Sequence, residues 1–236
     1  MAKKFTKKQK KQLLVEIVVL FLATVGAFSI IVFAGSKIAS VIDSKQYKIV
    51  EERPEMDVQL LQINKYSRPG TKNSGVKNIV VHYTANPGTT AQQNRDYFNG
   101  LATSHLTSAS SHFVIGTDGE IIQCIPTDEI AYANYPRNED TVTIECCHLD
   151  DSGEFTDATY DSLVKLTAFL MGKYYLTTDD VVRHYDITKE AHITAKECPK
   201  YYVDNPEAWE QFLTDVDEYI DKNGIVVDKE DVPETE

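Results

Sequence analysis

Hydrophobic and polar positions along this chain recur with two different periods, and the switches between them predict an order of strands and helices. Residues 78–84 (NIVVHYT) are rich in β-branched side chains and read as a strand. Its pleat puts Val80, His82 and Thr84 on one face and Ile79, Val81 and Tyr83 on the other. A helix over residues 89–101 follows, with Tyr97 and Phe98 on its later turn. Residues 111–116 and 120–125 read as two strands joined by Thr117, Asp118 and Gly119, an Asp-Gly hairpin signal. A further strand is predicted over 141–147 (TVTIECC). A long helix is predicted over 157–174, where Leu163, Leu166, Phe169 and Leu170 recur at helical spacing. Residues 181–184 read as a short strand, and 206–221 as a helix opening with Pro, Glu and Ala after Asn205.

Strands alternating with helices, together with one hairpin, predict an α/β fold: a single domain with a mixed central β-sheet flanked by helices. The pattern bounds this domain at 57–222 and shows no internal repeat. Residues 37–56 contain charges, Ser and Pro54 with little apolar pattern, and read as a linker. Residues 223–236 form a tail expected to be disordered, with five acids against one Lys from residue 226 onward.

Before the linker the pattern changes entirely. Residues 17–36 are 20 residues without a formal charge, rich in Ile, Val, Leu, Phe and Ala. As a helix this run would be about 30 Å long, which matches the hydrocarbon core of a bilayer. A cleaved signal has a shorter apolar core, about 7–15 residues, although Ala34, Gly35 and Ala39 supply small residues of the kind found at cleavage sites. The length favours an uncleaved single-pass signal anchor over 13–36. Residues 1–12 hold six lysines and no acid, so they are expected to stay in the cytoplasm with the domain outside the cell membrane. No Cys lies near this segment, which argues against a lipoprotein anchor.

The overall formal charge of −12 hides this asymmetry, because the remainder of the chain carries 18 basic against 36 acidic residues. So acidic a body lacks the basic surface that phosphate contacts need, and excludes nucleic acid as a partner. Four cysteines, Cys124, Cys146, Cys147 and Cys198, are too few for a disulfide scaffold. Adjacent in a strand, Cys146 and Cys147 should point to opposite faces, and a bridge from Cys124 to one of them is left open.

Six histidines are present, and position singles out two of them. His82 stands at the end of an apolar strand, held by a rigid element as a ligand should be, and His184 repeats the arrangement after Val181, Val182 and Arg183. Cys198 is the third candidate, because Pro199 after it restricts its backbone to extended conformations. Two imidazoles and one thiolate would hold zinc and leave a fourth position for water, the open arrangement of a catalytic site. The charge that remains would bring the pKa of such a water down to about 7. Glu145 lies within the apolar strand 141–147, on the face of Thr141, Thr143 and Cys147, where a carboxylate is costly unless paired or facing a cleft. Lys196, two residues before Cys198, would point the same way in an extended segment and set an ammonium beside the metal.

The order strand-HYT, SSHFVIGTDGEIIQ, TVTIE, RHYDIT and KECP resembles the zinc-dependent N-acetylmuramoyl-L-alanine amidases of the amidase-2 type, related to phage lysozyme-type amidases and peptidoglycan recognition proteins. The resemblance spans roughly residues 60–205, and its specificity lies in the combination of VVHYT, RHYDIT and KECP. It implies zinc bound by His82, His184 and Cys198, with Glu145 as general base and then acid. Lys196 would lie beside the scissile carbonyl. It implies peptidoglycan as substrate, cut at the amide between N-acetylmuramic acid and L-alanine. Two departures stand out. Ser111 occupies a position where some relatives have a catalytic Tyr, which moves proton chemistry onto Glu145. Residues 189–194 (KEAHIT) read as an insertion, which makes His192 a candidate decoy ligand.

Two other readings compete. A non-catalytic peptidoglycan-binding receptor on the same fold would usually lack a metal ligand, typically the cysteine, whereas Cys198 is present. A structural zinc would need a fourth protein ligand, for which His192 is the nearby candidate. Tyr83, Asn86 and Tyr132 are candidates for contact with glycan or peptide, and His112 for lining the groove.

Overall fold

The computed structural model describes residues 46–228. In chain order the elements are β1 (Gln46–Ile49), β2 (Asp57–Val58), β3 (Asn78–Tyr83), α1 (Ala91–Ser104), β4 (Phe113–Ile115), β5 (Ile121–Gln123), β6 (Thr141–Cys146) and α2 (Asp157–Tyr174). They continue with β7 (Val181–Arg183), α3 (His184–Glu190), α4 (Lys200–Asp204), α5 (Pro206–Asn223) and β8 (Ile225–Asp228). Six strands form one sheet in the order β2-β5-β4-β6-β3-β7, while β1 pairs with β8 in a separate ribbon. The β4–β5 hairpin is antiparallel. The pairs β2–β5, β3–β6, β3–β7 and β4–β6 are parallel, so the sheet is mixed, as expected.

Each face of the sheet buries a different set of side chains. Ile79, Val81, Phe113, Ile115, Val142, Ile144 and Cys146 point to one face and form the larger core. Leu163, Leu166 and Leu170 of α2 and Trp209, Phe212, Val216 and Ile220 of α5 close over it. Both sets recur every three or four residues, the stripe a helix needs to lie on a sheet. The reverse face carries Val114, Ile122, Cys124 and Cys147, covered by Leu61 and by Ala91 and Phe98 of α1. Cys146 and Cys147 thus face opposite cores, and all four cysteines are free thiols.

Local sequence sets the helix ends. Thr90 and Gln93 form a capping box at the start of α1, and Thr156 Oγ1 accepts from the Thr159 amide at the start of α2. The hairpin turn is fastened to that same end of α2. Thr156 Oγ1 donates to Thr117 O at 2.7 Å, Thr159 Oγ1 to Gly116 O at 2.8 Å, and Ser162 Oγ to Gly119 O at 2.6 Å. Gly119 has φ +85°, and a Cβ there would come 2.8 Å from the Ala158 carbonyl oxygen.

The structure departs from the pattern in three places. Strand β7 stops at Arg183, and His184 opens α3, because the Asp186 carboxylate accepts from the Arg183 backbone amide at 3.0 Å and starts a helical turn there. Within the stretch read as a linker, Gln46–Ile49 forms β1 and Val50 is buried in the larger core. Gly172 of α2 makes room for it: a Cβ there would lie 3.0 Å from Val50 O. Ile225–Asp228, at the start of the acidic tail, forms β8. The expected membrane span 17–36 lies outside the described residues; among those described, no helix is long and apolar enough to cross a membrane.

The two glycines Gly119 and Gly100 should respond oppositely to alanine. Gly119→Ala is expected to cost about 1–3 kcal/mol through its positive φ and the Ala158 contact. Gly100 lies exposed in α1, and an added methyl group would meet no other atom within 4 Å. The same change there should gain about 0.4–1 kcal/mol. Urea denaturation of both variants measures the difference.

Candidate metal centre

Strand register brings the histidines together. β3 pairs with β7 as Ile79↔Val181, Val80↔Val182 and Val81↔Arg183, so the residues that follow, His82 and His184, emerge side by side. Their ring centroids are 4.6 Å apart and the planes cross at 52°. Cys198 arrives from the loop after α3 and is tied to its first turn by the Tyr185 amide, which donates to Cys198 O at 2.9 Å. Its Sγ lies 3.6 Å from His82 Nδ1. One ligand atom from each of His82, His184 and Cys198 lies within 4.8 Å of the other two, the one such group of three among the described residues.

On the other side of β3, register sets His82 opposite Glu145 of β6. Glu145 Oε1 stands 4.0 Å from His82 Nδ1. Its Oε2 is buried and has no hydrogen-bond partner among the described residues, which a buried carboxyl oxygen rarely lacks. Lys196 is exposed on the rim of the same groove. Its backbone amide donates to Thr188 Oγ1 at 3.0 Å, and its carbonyl accepts from the Cys198 amide at 2.8 Å.

Burial shifts His82, His184, Glu145 and Cys198 toward their neutral forms. Desolvation drives His82 well below the usual imidazole range, and the neighbouring His184 adds to the effect. Desolvation and then the Lys196 charge lower His184 to about 4, so both rings are neutral donors. Desolvation lifts the Glu145 carboxyl to about 8. It also raises the Cys198 thiol well above its ordinary value, with Glu145 adding to it and the Tyr83 backbone and Lys196 opposing. Two neutral imidazoles, a thiol and an unpartnered carboxyl around one point are the donor set that a divalent cation completes. These residues fit zinc.

The cluster opens into a groove of ≈ 560 Å³, lined by Tyr83, Thr84, Phe98, Ser110, Tyr132 and Lys196 among others. A second hollow of ≈ 320 Å³ follows α1 past Asn86, Asn94 and Tyr97, and shares Thr84, Phe98 and Glu145 with the first. A larger hollow of ≈ 810 Å³ beside Met56, Asp57, Glu120 and Lys165 contains none of the cluster residues. We place the chemistry in the groove with the convergent donors, because size alone supplies no reactive group.

The remaining histidines are accounted for elsewhere. His192 is exposed with φ 53° and does not join the cluster. His105 stacks on Tyr66 at 4.3 Å. His112, a groove candidate by sequence, is instead fully buried behind the sheet: its Nδ1 accepts from the Thr143 amide at 3.1 Å and its Nε2 donates to Glu129 O at 2.9 Å. His148 is buried against Tyr83, ring centroids 5.1 Å apart. Ser111 is also turned inward, donating to Phe113 O at 2.9 Å.

One residue that sequence reasoning missed touches the cluster. Asn134, fully buried, places Oδ1 2.7 Å from His82 Nε2. It sits in an irregular segment between β5 and β6 with no periodic pattern, 52 positions from its partner, so no local signal marks it.

Comparison with known proteins extends these observations. Residues 72–201 match the family described as N-acetylmuramoyl-L-alanine amidase, Amidase_2, an interval that contains His82, Glu145, His184, Lys196 and Cys198. The N-acetylmuramoyl-L-alanine amidase CwlL of Bacillus licheniformis is 34% identical over 171 residues, 66% of this chain and 45% of that protein. The amidase BlyA of Bacillus subtilis (strain 168) is 34% identical over 173 residues, 64% of this chain and 44% of its own. The chain thus spans less than half the length of these curated relatives. Among solved structures, the catalytic domain of XlyA superposes with a TM-score of 0.56 at 27% identity, over 69% of this chain and 99% of that one. With more than half its length matched, the chain belongs to the Amidase_2 family of N-acetylmuramoyl-L-alanine amidases.

Proposed function

We propose that this protein is a zinc-dependent hydrolase that cleaves the amide bond between N-acetylmuramic acid and L-alanine in peptidoglycan, and that residues 13–36 hold it at the cell membrane with its domain outside. The observation that carries the catalytic reading is the unpartnered, buried Oε2 of Glu145 beside the three-residue cluster. Family membership supplies the substrate class.

In this reading His82, His184 and Cys198 would hold zinc, which would supply Lewis-acid polarisation of the scissile carbonyl and acidify water. Glu145 takes the proton from the attacking water as its oxygen bonds to the carbonyl carbon. The C–N bond then breaks, and Glu145 returns that proton to the departing alanine nitrogen. Lys196 supplies positive charge on the groove rim to the oxyanion that develops between these two events. Tyr132 lines the groove, where its ring would meet the glycan or stem peptide. A receptor that has lost catalysis has no need of a glutamate poised in this way, and the full set of residues favours the enzyme.

The anchor rests on different observations: an uncharged run of 20 residues and six lysines before it, with no acid among residues 1–12.

Glu145→Gln should retain zinc yet lose turnover by about 10²–10⁴-fold, measured by mass spectrometry of muropeptide digests. A receptor would show no cleavage in the parent protein either. Cys198→Ser should lose both zinc and cleavage, and a chelator should abolish activity that added zinc restores. For the full chain expressed in cells, carbonate extraction should leave it with the membrane fraction at its unprocessed mass; a shortened, released product would mean that the segment is a cleaved signal.

A further inference from the structure

Behind the His82 ring runs a chain of three hydrogen bonds. His82 Nε2 is 2.7 Å from Asn134 Oδ1, Asn134 Nδ2 is 2.8 Å from Thr141 Oγ1, and Thr141 Oγ1 is 2.8 Å from Arg137 O. The far end fixes the sense of every link. A backbone carbonyl can only accept, so the single hydroxyl proton of Thr141 is committed to Arg137 O. Thr141 Oγ1 must then accept from its other neighbour, which requires the Asn134 amide to turn its NH₂ toward it. That leaves the Asn134 carbonyl facing His82, where it accepts only from a protonated Nε2. The His82 lone pair is thereby placed on Nδ1, the nitrogen 3.6 Å from Cys198 Sγ and 4.0 Å from Glu145 Oε1.

The Arg137 end is itself held firmly. Its guanidinium donates to Asp140 Oδ1 at 2.9 Å and to Asn78 Oδ1 at 2.7 Å, and Asn78 is the first residue of the strand that carries His82. Asn138 Oδ1 accepts from the backbone amides of Ala133 and Asn134, at 3.1 and 2.7 Å. Neither Asn134 nor Thr141 has exposed surface, so bulk solvent does not compete for these links.

We propose that Asn134 and Thr141 are positioning residues for the metal: together they lock His82 with its proton on Nε2 and its orientation set, and so present Nδ1 for coordination. This inference rests on the zinc reading above. A partner of this kind on the outer nitrogen of a ligating His commonly changes metal affinity by about 10–100-fold.

The test uses the full chain, with Asn134→Leu, Thr141→Val and Thr141→Ser beside wild type. Long-range ¹H–¹⁵N correlation of the His82 ring in metal-free protein reports the tautomer without any reference to zinc. Chelator competition gives the zinc affinity, and cobalt(II) absorption reports the coordination sphere. Wild type should show His82 protonated on Nε2. Asn134→Leu and Thr141→Val should bind zinc about 10–100-fold more weakly with an altered cobalt spectrum, while Thr141→Ser, which keeps the hydroxyl, should restore both. Thr141→Val preserves volume and carries the test should Asn134→Leu not fold. A proton on His82 Nδ1 in wild type, or Thr141→Val with wild-type zinc affinity and spectrum, overturns the relay and leaves the zinc reading standing. Wild type that shows Nε2 protonation but binds no zinc overturns the zinc reading, and with it the positioning role of Asn134 and Thr141.

Discussion

The in-register parallel pairing of β3 with β6 on one side and β7 on the other is the constraint on which the site depends. It sets His82 opposite Glu145 and leads His184 out beside it. In a parallel pair, registered residues share a face, so His82 and Glu145 converge directly, and His184 follows immediately on Arg183, the last registered residue of β7. A one-residue slip of β6 would turn Glu145 away from His82 and Val142 and Ile144 out of the core, and the same slip of β7 would displace His184 and Val181. The large core under α2 and α5 therefore protects the site geometry. Fold stability and ligand placement are enforced by the same register.

The opposite face tolerates polar groups because it is only partly covered. Helix α1 shields Val114, Ile122 and Cys147, while the ends of β3 and β6 stay open to the groove. Groups at that opening are dry enough to lose their charges and near enough to regain them around a cation. Neutral His82 and His184, an elevated Glu145 carboxyl and a protonated Cys198 all follow from desolvation. A divalent ion would reverse the balance for Cys198, holding it as thiolate, so metal binding and deprotonation are one event.

Several polar residues that resembled functional candidates serve the sheet instead. His112 and Ser111 meet Thr143 where β4 has not yet begun: the His112 ring accepts from the Thr143 amide, and the Ser111 and Thr143 hydroxyls are hydrogen-bonded at 2.9 Å. Side chains here do what a longer β4 backbone would do, satisfying β6 two residues before Glu145. Ser111 thus faces into the sheet and not the groove.

The sequence by itself determined the elements with strong periodicity, β3, β6, the hairpin, α2 and α5, because their apolar positions leave one way to face a core. It also singled out His82, Glu145, His184, Lys196 and Cys198, through placement at strand ends and a shared order of motifs. It could not reveal β1 and β8, whose four-residue stretches are too short to stand out and form only by pairing with each other. Nor could it show that His184 begins a helix, which a capping contact from Asp186 decides. Asn134 is the clearest case. It has no pattern and no nearby partner, and its contact with His82 exists only because the 131–141 segment folds back behind β3. Periodicity reports which face a residue presents to the core. Hydrogen-bond partners inside that core are a matter of tertiary geometry.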